Sequence, residues 1–252
     1  MADGFIHFLG TAGSRYTTIR QLRASGGLWL HYKETNILID PGPGSLVRVI
    51  EEAALDPASL DAVVLTHKHL DHSNDVNIMV EAMTGGGRLD KGVLVVPQDA
   101  LGPGGVVFEY VLEYPEKIIK ISGEQTVKIK DVVMNFSRGL RHGTQTHGIT
   151  FVCGNKAIAL VADTDYFEGL ENMFRGNIMI INVLTPDHRD GVDHLCLEEV
   201  QKILNTAKPG RALLTHFGIP MLQQDMESLS AEISLNTQCD VFCVSDGHRE
   251  EF

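Results

Sequence analysis

The chain has 252 residues, of which 43% are hydrophobic and 21% are charged, a composition typical of an ordinary globular protein. Its formal net charge of -12 argues against non-specific binding to nucleic acid or to anionic membranes. No apolar run approaches the roughly 20 residues of a membrane span, and the N-terminus lacks the pattern of a signal peptide. We therefore expect a cytoplasmic protein without a membrane partner, folded as one domain over residues 1–252.

The predicted elements alternate short strands with helices. In chain order, strands are predicted at 5–9, 28–32, 36–40, 62–66, 93–96, 118–121, 126–129, 132–136, 149–153, 157–161, 178–182, 212–215 and 241–244. Helices are predicted over 46–54, 74–83, 195–206 and near 221–235. No helix or strand is clearly predicted over residues 97–117. Strands that are followed by a helix, twice over, indicate an α/β fold whose two halves pack their sheets face to face, with helices outside.

Four side chains that bind metals follow the buried strand predicted at 62–66, namely His67, His69, Asp71 and His72. Imidazole and carboxylate groups suit divalent cations such as zinc, manganese or iron. An extended backbone sends alternate side chains to one side, so His67 and His69 can hold one ion. The tighter turn that follows can direct the other two at a second ion. A His-rich surface loop is the alternative, but burying these groups without cations would be costly, which favours a metal site.

The pattern His-x-His-x-Asp-His after an apolar strand resembles the signature of the metallo-β-lactamase fold superfamily. Residues 36–42 also resemble the early strand of that superfamily and its Asp-Pro-Gly turn. The resemblance extends over nearly the whole chain and implies a four-layer αββα sandwich. His142, Asp163 directly after a predicted strand, and His216 at another strand end resemble the remaining ligands of the superfamily.

The resemblance implies two divalent ions, with Zn²⁺ favoured and Mn²⁺ or Fe also suited. The ligands of the first ion would be His67, His69 and His142. Those of the second would be Asp71, His72 and His216, and Asp163 would bridge both. His147 is a rival for the role of His142. The Gly148 that follows His147 resembles the glycine that opens the next strand of the superfamily, and this favours His142. Asp40 and Asp246 are candidates to orient ligand histidines, or else simple turn residues.

Two adjacent divalent ions can acidify a water between them and neutralise the charge that develops on the attacked group. The chain has no Gly-x-Ser-x-Gly motif and no cysteine beside a histidine motif that would announce another nucleophile. The sequence therefore predicts a metal-dependent hydrolase, in which Asp71 also orients the water.

The bridging position narrows the substrate class. Zinc β-lactamases carry a cysteine near the position of Asp163, so antibiotic hydrolysis is disfavoured. An aspartate at this position resembles the pattern of the phosphodiesterase, glyoxalase II and flavodiiron branches. His194 precedes a predicted helix. It resembles the histidine that gives a proton to the leaving alkoxide in ribonuclease Z and in the carbon–phosphorus lyase pathway phosphodiesterase. A histidine suits such a role because its pKa lies near operating pH. The alternative is a capping or core histidine.

Five arginines suggest an anionic substrate, although solvated loop arginines are an equal alternative for each one: Arg15, Arg20, Arg23, Arg138 and Arg141. The long Gly/Pro-rich arm with which ribonuclease Z grips transfer RNA has no counterpart, which argues against a nucleic acid partner. We expect a phosphodiesterase acting on a small anionic phosphodiester, in a homodimer, as is common in the superfamily. The alternatives are a lactone or thioester hydrolase with the same metals, and a non-hydrolytic metal-binding or regulatory protein.

Overall fold

Fourteen strands form two seven-stranded sheets in residues 3–252, the residues that the computed structural model describes. The strands are β1 Gly4–Phe8, β2 Leu28–Tyr32, β3 Thr35–Ile39, β4 Ala62–Val64, β5 Val93–Pro97, β6 Lys117–Ile121, β7 Gln125–Ile129, β8 Val132–Phe136, β9 Ile149–Cys153, β10 Lys156–Val161, β11 Ile178–Asn182, β12 Arg211–Thr215, β13 Asp240–Cys243 and β14 Arg249–Glu251. The first sheet has the order β14-β1-β2-β3-β4-β5-β6 and the second the order β13-β12-β11-β10-β9-β8-β7.

Eight α-helices lie in the same part of the chain. They are α1 Ser14–Ile19, α2 Ser45–Val47, α3 Leu70–Ser73, α4 Val76–Thr84, α5 Leu170–Met173, α6 Leu197–Ala207, α7 Ile219–Leu222 and α8 Met226–Thr237. Within this part of the chain, none of them combines the length and the apolar character that crossing a bilayer requires.

Side-chain alternation along the strands of the first sheet creates two apolar faces. In β3, Ile37 and Ile39 are buried in the core between the two sheets. Leu38, which points to the opposite face, belongs to a second cluster that contains Met79 and Val80 of α4. The first sheet therefore has the other sheet on one side and helices on the other.

The second sheet repeats this arrangement. Ile180 of β11 joins the core between the sheets, whereas its neighbours Met179 and Ile181 pack in a cluster with Ile203 of α6. Helices thus cover the outer faces of both sheets. This is a four-layer αββα sandwich, and the predicted fold class is confirmed.

Parallel pairing brings several loops to one edge of the sandwich. β3, β4 and β5 are mutually parallel in the first sheet, and β10 to β13 are parallel in the second. The carboxyl ends of parallel strands meet at the same edge of a sheet. The polar residues at or just after these strand ends are Asp40, His67, Asp163, Asn182 and His216.

The prediction of one continuous α-helix over 46–54 is wrong. The α-helix spans only Ser45–Val47, and a π-helical turn follows over Arg48–Glu52. Its first residue, Ser45, donates a hydrogen bond from its hydroxyl to the carbonyl of Gly42 at 2.8 Å.

Other differences have local causes. The helix predicted near 221–235 is split into α7 and α8, because the Asp225 carboxylate accepts hydrogen bonds from Glu227 and Ser228 and starts a new helix. β14 was not predicted, since its charged residues carry no strand pattern, yet it pairs antiparallel with β1 at the sheet edge.

Asp246 closes the loop that carries α1, and it contacts no histidine of the cluster. One carboxylate oxygen accepts from the backbone N–H and the hydroxyl of Thr11, at 2.8 and 2.6 Å. The other accepts from the backbone N–H of Ala24 at 2.6 Å. The idea that Asp246 orients a ligand histidine is therefore wrong. The carboxylate holds the two ends of the 11–24 loop together.

We predict that D246A lowers the free energy of unfolding by about 1–3 kcal/mol, because three donors lose a charged acceptor. Urea unfolding followed by circular dichroism measures the change. D187A is the control, since the exposed Asp187 side chain has no hydrogen bond or ion pair among residues 3–252, and it should shift stability by less than about 0.5 kcal/mol. Equal stability of the two variants would contradict the prediction.

Candidate metal centre

The Asp40 carboxylate holds two histidines of the cluster from behind. Its oxygens accept from the backbone N–H and the hydroxyl of Thr66 at 2.7 and 2.6 Å, and from Nδ1 of His72 at 3.0 Å. The Thr66 oxygen in turn accepts from Nδ1 of His67 at 3.0 Å. Since Nδ1 is the donor in both rings, the Nε2 lone pair of each ring is directed towards the centre.

His142 is anchored in the same way from the loop between β8 and β9. Its Nδ1 donates to the carbonyl of Asp193 at 3.0 Å, so its Nε2 faces inward. There it lies 3.0 Å from Nδ1 of His69. His147, the rival, donates from Nδ1 to the carbonyl of Ser137 at 2.8 Å and belongs to none of the histidine groups found in residues 3–252.

Asp163 lies at the middle of the cluster and is almost fully buried. Its Oδ1 accepts from the side-chain amide of Asn182 at 2.7 Å, which leaves Oδ2 directed into the cluster. Oδ2 lies 3.2–3.9 Å from a nitrogen of each of five histidines, which are His67, His72, His142, His194 and His216. Asn182 was missed at the sequence level, and its one signal was a polar residue that ends an apolar strand.

The described residues contain four compact groups of potential ligand atoms, and two of these correspond to the ligand sets predicted for the two ions. Within each group the atoms lie within 4.8 Å of one another. One group is His67, His69 and His142, and the other is Asp71, His72 and His216. In the second group, Nε2 of His72 and Nε2 of His216 are 3.0 Å apart. Two nitrogens bound to one zinc ion at about 2.0–2.1 Å and a near-tetrahedral angle lie roughly 3.3 Å apart, so these spacings suit shared cations.

A buried nitrogen without a partner tests whether the residues fit a cation. Nε2 of His67 is buried and has no hydrogen-bond partner among the described residues. Such a group is costly to bury unless something binds it. A divalent cation would bind its lone pair, and the other inward-facing donors are imidazole and carboxylate groups. The cluster therefore fits divalent metal ions.

The electrostatics of the cluster agree with this role. Burial alone would raise the pKa of Asp163, but His216, His72 and His194 around it hold that pKa well below its usual range. Burial, together with the neighbouring His72, lowers the pKa of His67 well below normal. The carboxylate is therefore anionic and His67 is neutral, the protonation states in which both can bind a cation.

The pKa of His72 is shifted in the opposite direction. Burial would lower its pKa, but the nearby carboxylates of Asp163 and Asp71 outweigh burial and raise that pKa well above normal. The same carboxylates favour positive charge beside Nε2 of this ring, which a bound divalent cation would supply.

Comparison with known proteins gives the family. The family model described as the β-lactamase superfamily domain matches residues 35–217, which is more than half of the chain. The chain therefore belongs to this family, and it is a metal-dependent hydrolase with the metallo-β-lactamase fold.

Relatives match over most of the chain. The uncharacterized protein MJ1374 of Methanocaldococcus jannaschii is 29% identical over 246 residues, which cover 94% of this chain and 90% of that protein. Among solved structures, the metallo-β-lactamase fold protein YhfI of Bacillus subtilis has a TM-score of 0.77 at 18% identity, and the alignment covers 100% of both chains. A new diphosphatase from the PhnP family has a TM-score of 0.72 at 18% identity, over 99% of this chain and 97% of that one. At these identities the solved structures show a shared fold.

We predict that D40N weakens metal binding about 10- to 100-fold, because an amide N–H would face the donors of Thr66 and His72. Competition with a chromophoric chelator measures the affinity. D61N is the matched control, since Asp61 precedes β4 at the opposite end of that strand and accepts from the backbone of Asn36. Unchanged affinity in D40N, or an equal loss in D61N, would contradict the role given to Asp40.

Proposed function

We propose that this centre binds two divalent ions, Zn²⁺ in the first place and Mn²⁺ or Fe as alternatives, and hydrolyses a small anionic phosphodiester. His67, His69 and His142 would hold one ion, and Asp71, His72 and His216 the other. Asp163 Oδ2, which lies near both groups, would bridge them. When bound, such ions lower the pKa of a water and neutralise charge that develops on the phosphate oxygens. Asp71 would orient that water.

The observation that carries the phosphodiesterase assignment is the position of His194. Its Nδ1 lies 3.7 Å from Oδ2 of Asp163, and its ring contacts those of His142 and His216, with centroids 5.0 and 5.4 Å apart. It also lines the two open clefts beside the centre. A histidine at this place can hydrogen-bond the leaving oxygen of a bound phosphodiester and give it a proton.

The charge state of His194 depends on what is bound. Burial lowers the pKa of His194 to about 4, so the ring is neutral near pH 7 in the free chain. A phosphodiester anion in contact with the ring favours its protonated form. The diphosphatase of the PhnP family, which shares this fold, supports a substrate that is cleaved at a phosphate group. A cytoplasmic location, a homodimer and a single domain over the whole chain stay predictions.

The proposed activity is tested with bis(p-nitrophenyl) phosphate and zinc- or manganese-loaded protein. We expect turnover that is lost when a chelator removes the ions and returns when they are added back. No turnover with any metal, in protein shown to hold two ions per chain, would contradict the proposal. Turnover of lactones or thioesters instead would favour the alternative hydrolase.

The role of His194 is tested by the leaving group. We predict that H194A lowers kcat/KM about 10²- to 10⁴-fold for a 2′,3′-cyclic nucleotide, whose alkoxide needs a proton. For a p-nitrophenyl ester, whose leaving group needs none, the loss should be far smaller. D187A, at an exposed residue of the same loop whose side chain has no hydrogen bond or ion pair among residues 3–252, is the control and should leave both rates near wild type. Equal losses of H194A on both substrates would indicate a structural role only.

A further inference from the structure

Two clefts meet at the metal centre. The first, of about 670 Å³, lies between α1, the 189–194 segment and the start of α7, and it is called the upper cleft here. The second, of about 590 Å³, lies between α1 and the Leu70–Asn74 region and reaches Asp71 and Asp163. Ser14, Arg15, His69 and His194 line both. A phosphodiester held at the centre would therefore have room for a substituent on each side.

Two arginines line the upper cleft, Arg15 from α1 and Arg189 from the loop before α6. Both are exposed, and neither guanidinium group forms a hydrogen bond or an ion pair with any residue that the structure describes. Asp193 is the only carboxylate among the described residues that line this cleft. In a chain with 33 acidic and 21 basic residues, two uncommitted guanidinium groups on one cleft are a local excess of positive charge.

The other arginines that the sequence singled out are engaged elsewhere or lie outside the cleft. Arg138 and Arg141 stack over the ring of Phe167, at 5.4 and 5.1 Å from its centroid. Arg23 approaches the hydroxyl of Thr11 at 3.5 Å. Arg20 is exposed on the same loop as Arg15 but does not line either cleft. Arg189, by contrast, was not singled out from the sequence.

Each arginine is carried by a segment that the fold fixes at its base. Asp246 joins the two ends of the 11–24 loop, which presents Arg15. Glu199 of α6 accepts from the backbone N–H of Cys196 at 2.8 Å and from His188 at 3.2 Å, which ties down the segment that presents Arg189. Hydrogen bonds therefore anchor both of the segments that present arginines to the cleft.

The remaining wall is apolar. Tyr16, Ile219 and Pro220 line the same cleft, and the Tyr16 side chain is 62% exposed. A carbon skeleton can pack on this wall while its charged end meets the guanidinium groups. Arginine binds phosphate and carboxylate groups through paired N–H donors, which makes both groups suitable ligands.

We propose that the upper cleft binds a second anionic group of the substrate, a phosphate or a carboxylate, through Arg15 and Arg189. The substrate is then a small phosphodiester with an additional negative charge on one substituent, and this inference rests on the proposed phosphodiesterase function. The reacting phosphate occupies the metal centre, and the second group extends past His194 into the cleft.

The test measures binding rather than turnover. Calorimetry with zinc-loaded protein compares α,ω-alkanediol bisphosphates of increasing chain length with the alkyl monophosphates of the same length. A parallel series replaces the second phosphate with a carboxylate and distinguishes the two anions. At the best length we expect the doubly anionic ligand to bind about 10- to 100-fold tighter than the monophosphate. R15Q and R189Q should each remove most of that gain, and R189Q, whose residue lines the upper cleft and not the second one, should leave monophosphate affinity unchanged.

R20Q is the control, because Arg20 shares the loop and the exposure of Arg15 but lies outside the cleft. The proposal is overturned if no second anion improves binding at any length, or if R20Q removes as much of the gain as R15Q. An arginine-dependent gain in a protein that cleaves no phosphodiester would support the anion site and refute the proposed reaction. Phosphodiester cleavage without such a gain would do the opposite.

Discussion

One buried carboxylate oxygen surrounded by imidazole nitrogens is the constraint on which the rest of the structure depends. Oδ2 of Asp163 lies 3.2–3.9 Å from nitrogens of five histidines. The outer atoms of four ligands, namely His67, His72, His142 and Asp163, are held by Thr66, Asp40, a carbonyl and Asn182 respectively, so folding itself directs their inner lone pairs towards the centre. Such an assembly is unfavourable without cations. Two non-glycine residues with left-handed backbone, Asp40 and His216, store further strain here, of about 1–3 kcal/mol each.

The two sheets hold this strained site in place from opposite sides. The first sheet brings Asp40 and the 67–72 segment to its edge, and the second sheet brings Asp163, Asn182 and His216 to the facing edge. Because buried residues of both sheets form one contiguous apolar core, the separation of the two edges is fixed by packing. The 11–24 loop, which carries none of the proposed ligands, can then vary in length and charge without moving them. This division places the proposed chemistry at the strand ends and the proposed substrate selection in the loops above them.

The sequence predicts the strands well where apolar, β-branched residues run without interruption, as in β11 and β9, whose bounds match the structure. It also predicts the His67–His72 cluster, because those ligands are contiguous. It favours His142 over His147 only through the position of Gly148, because the structural difference lies in which carbonyl each Nδ1 meets. The sequence did not predict β14 or the roles of Asn182 and Arg189, for a similar reason. Their roles come from partners that are distant in the chain, and no local periodicity marks them.

The account rests on two cations held by seven side chains, and anomalous diffraction tests this most directly. Crystals of zinc-loaded protein measured at the zinc edge should show two peaks, about 3.5–4 Å apart, on either side of Asp163 Oδ2. One should lie against His67, His69 and His142, and the other against Asp71, His72 and His216. A single peak, or peaks away from these side chains, would contradict the account.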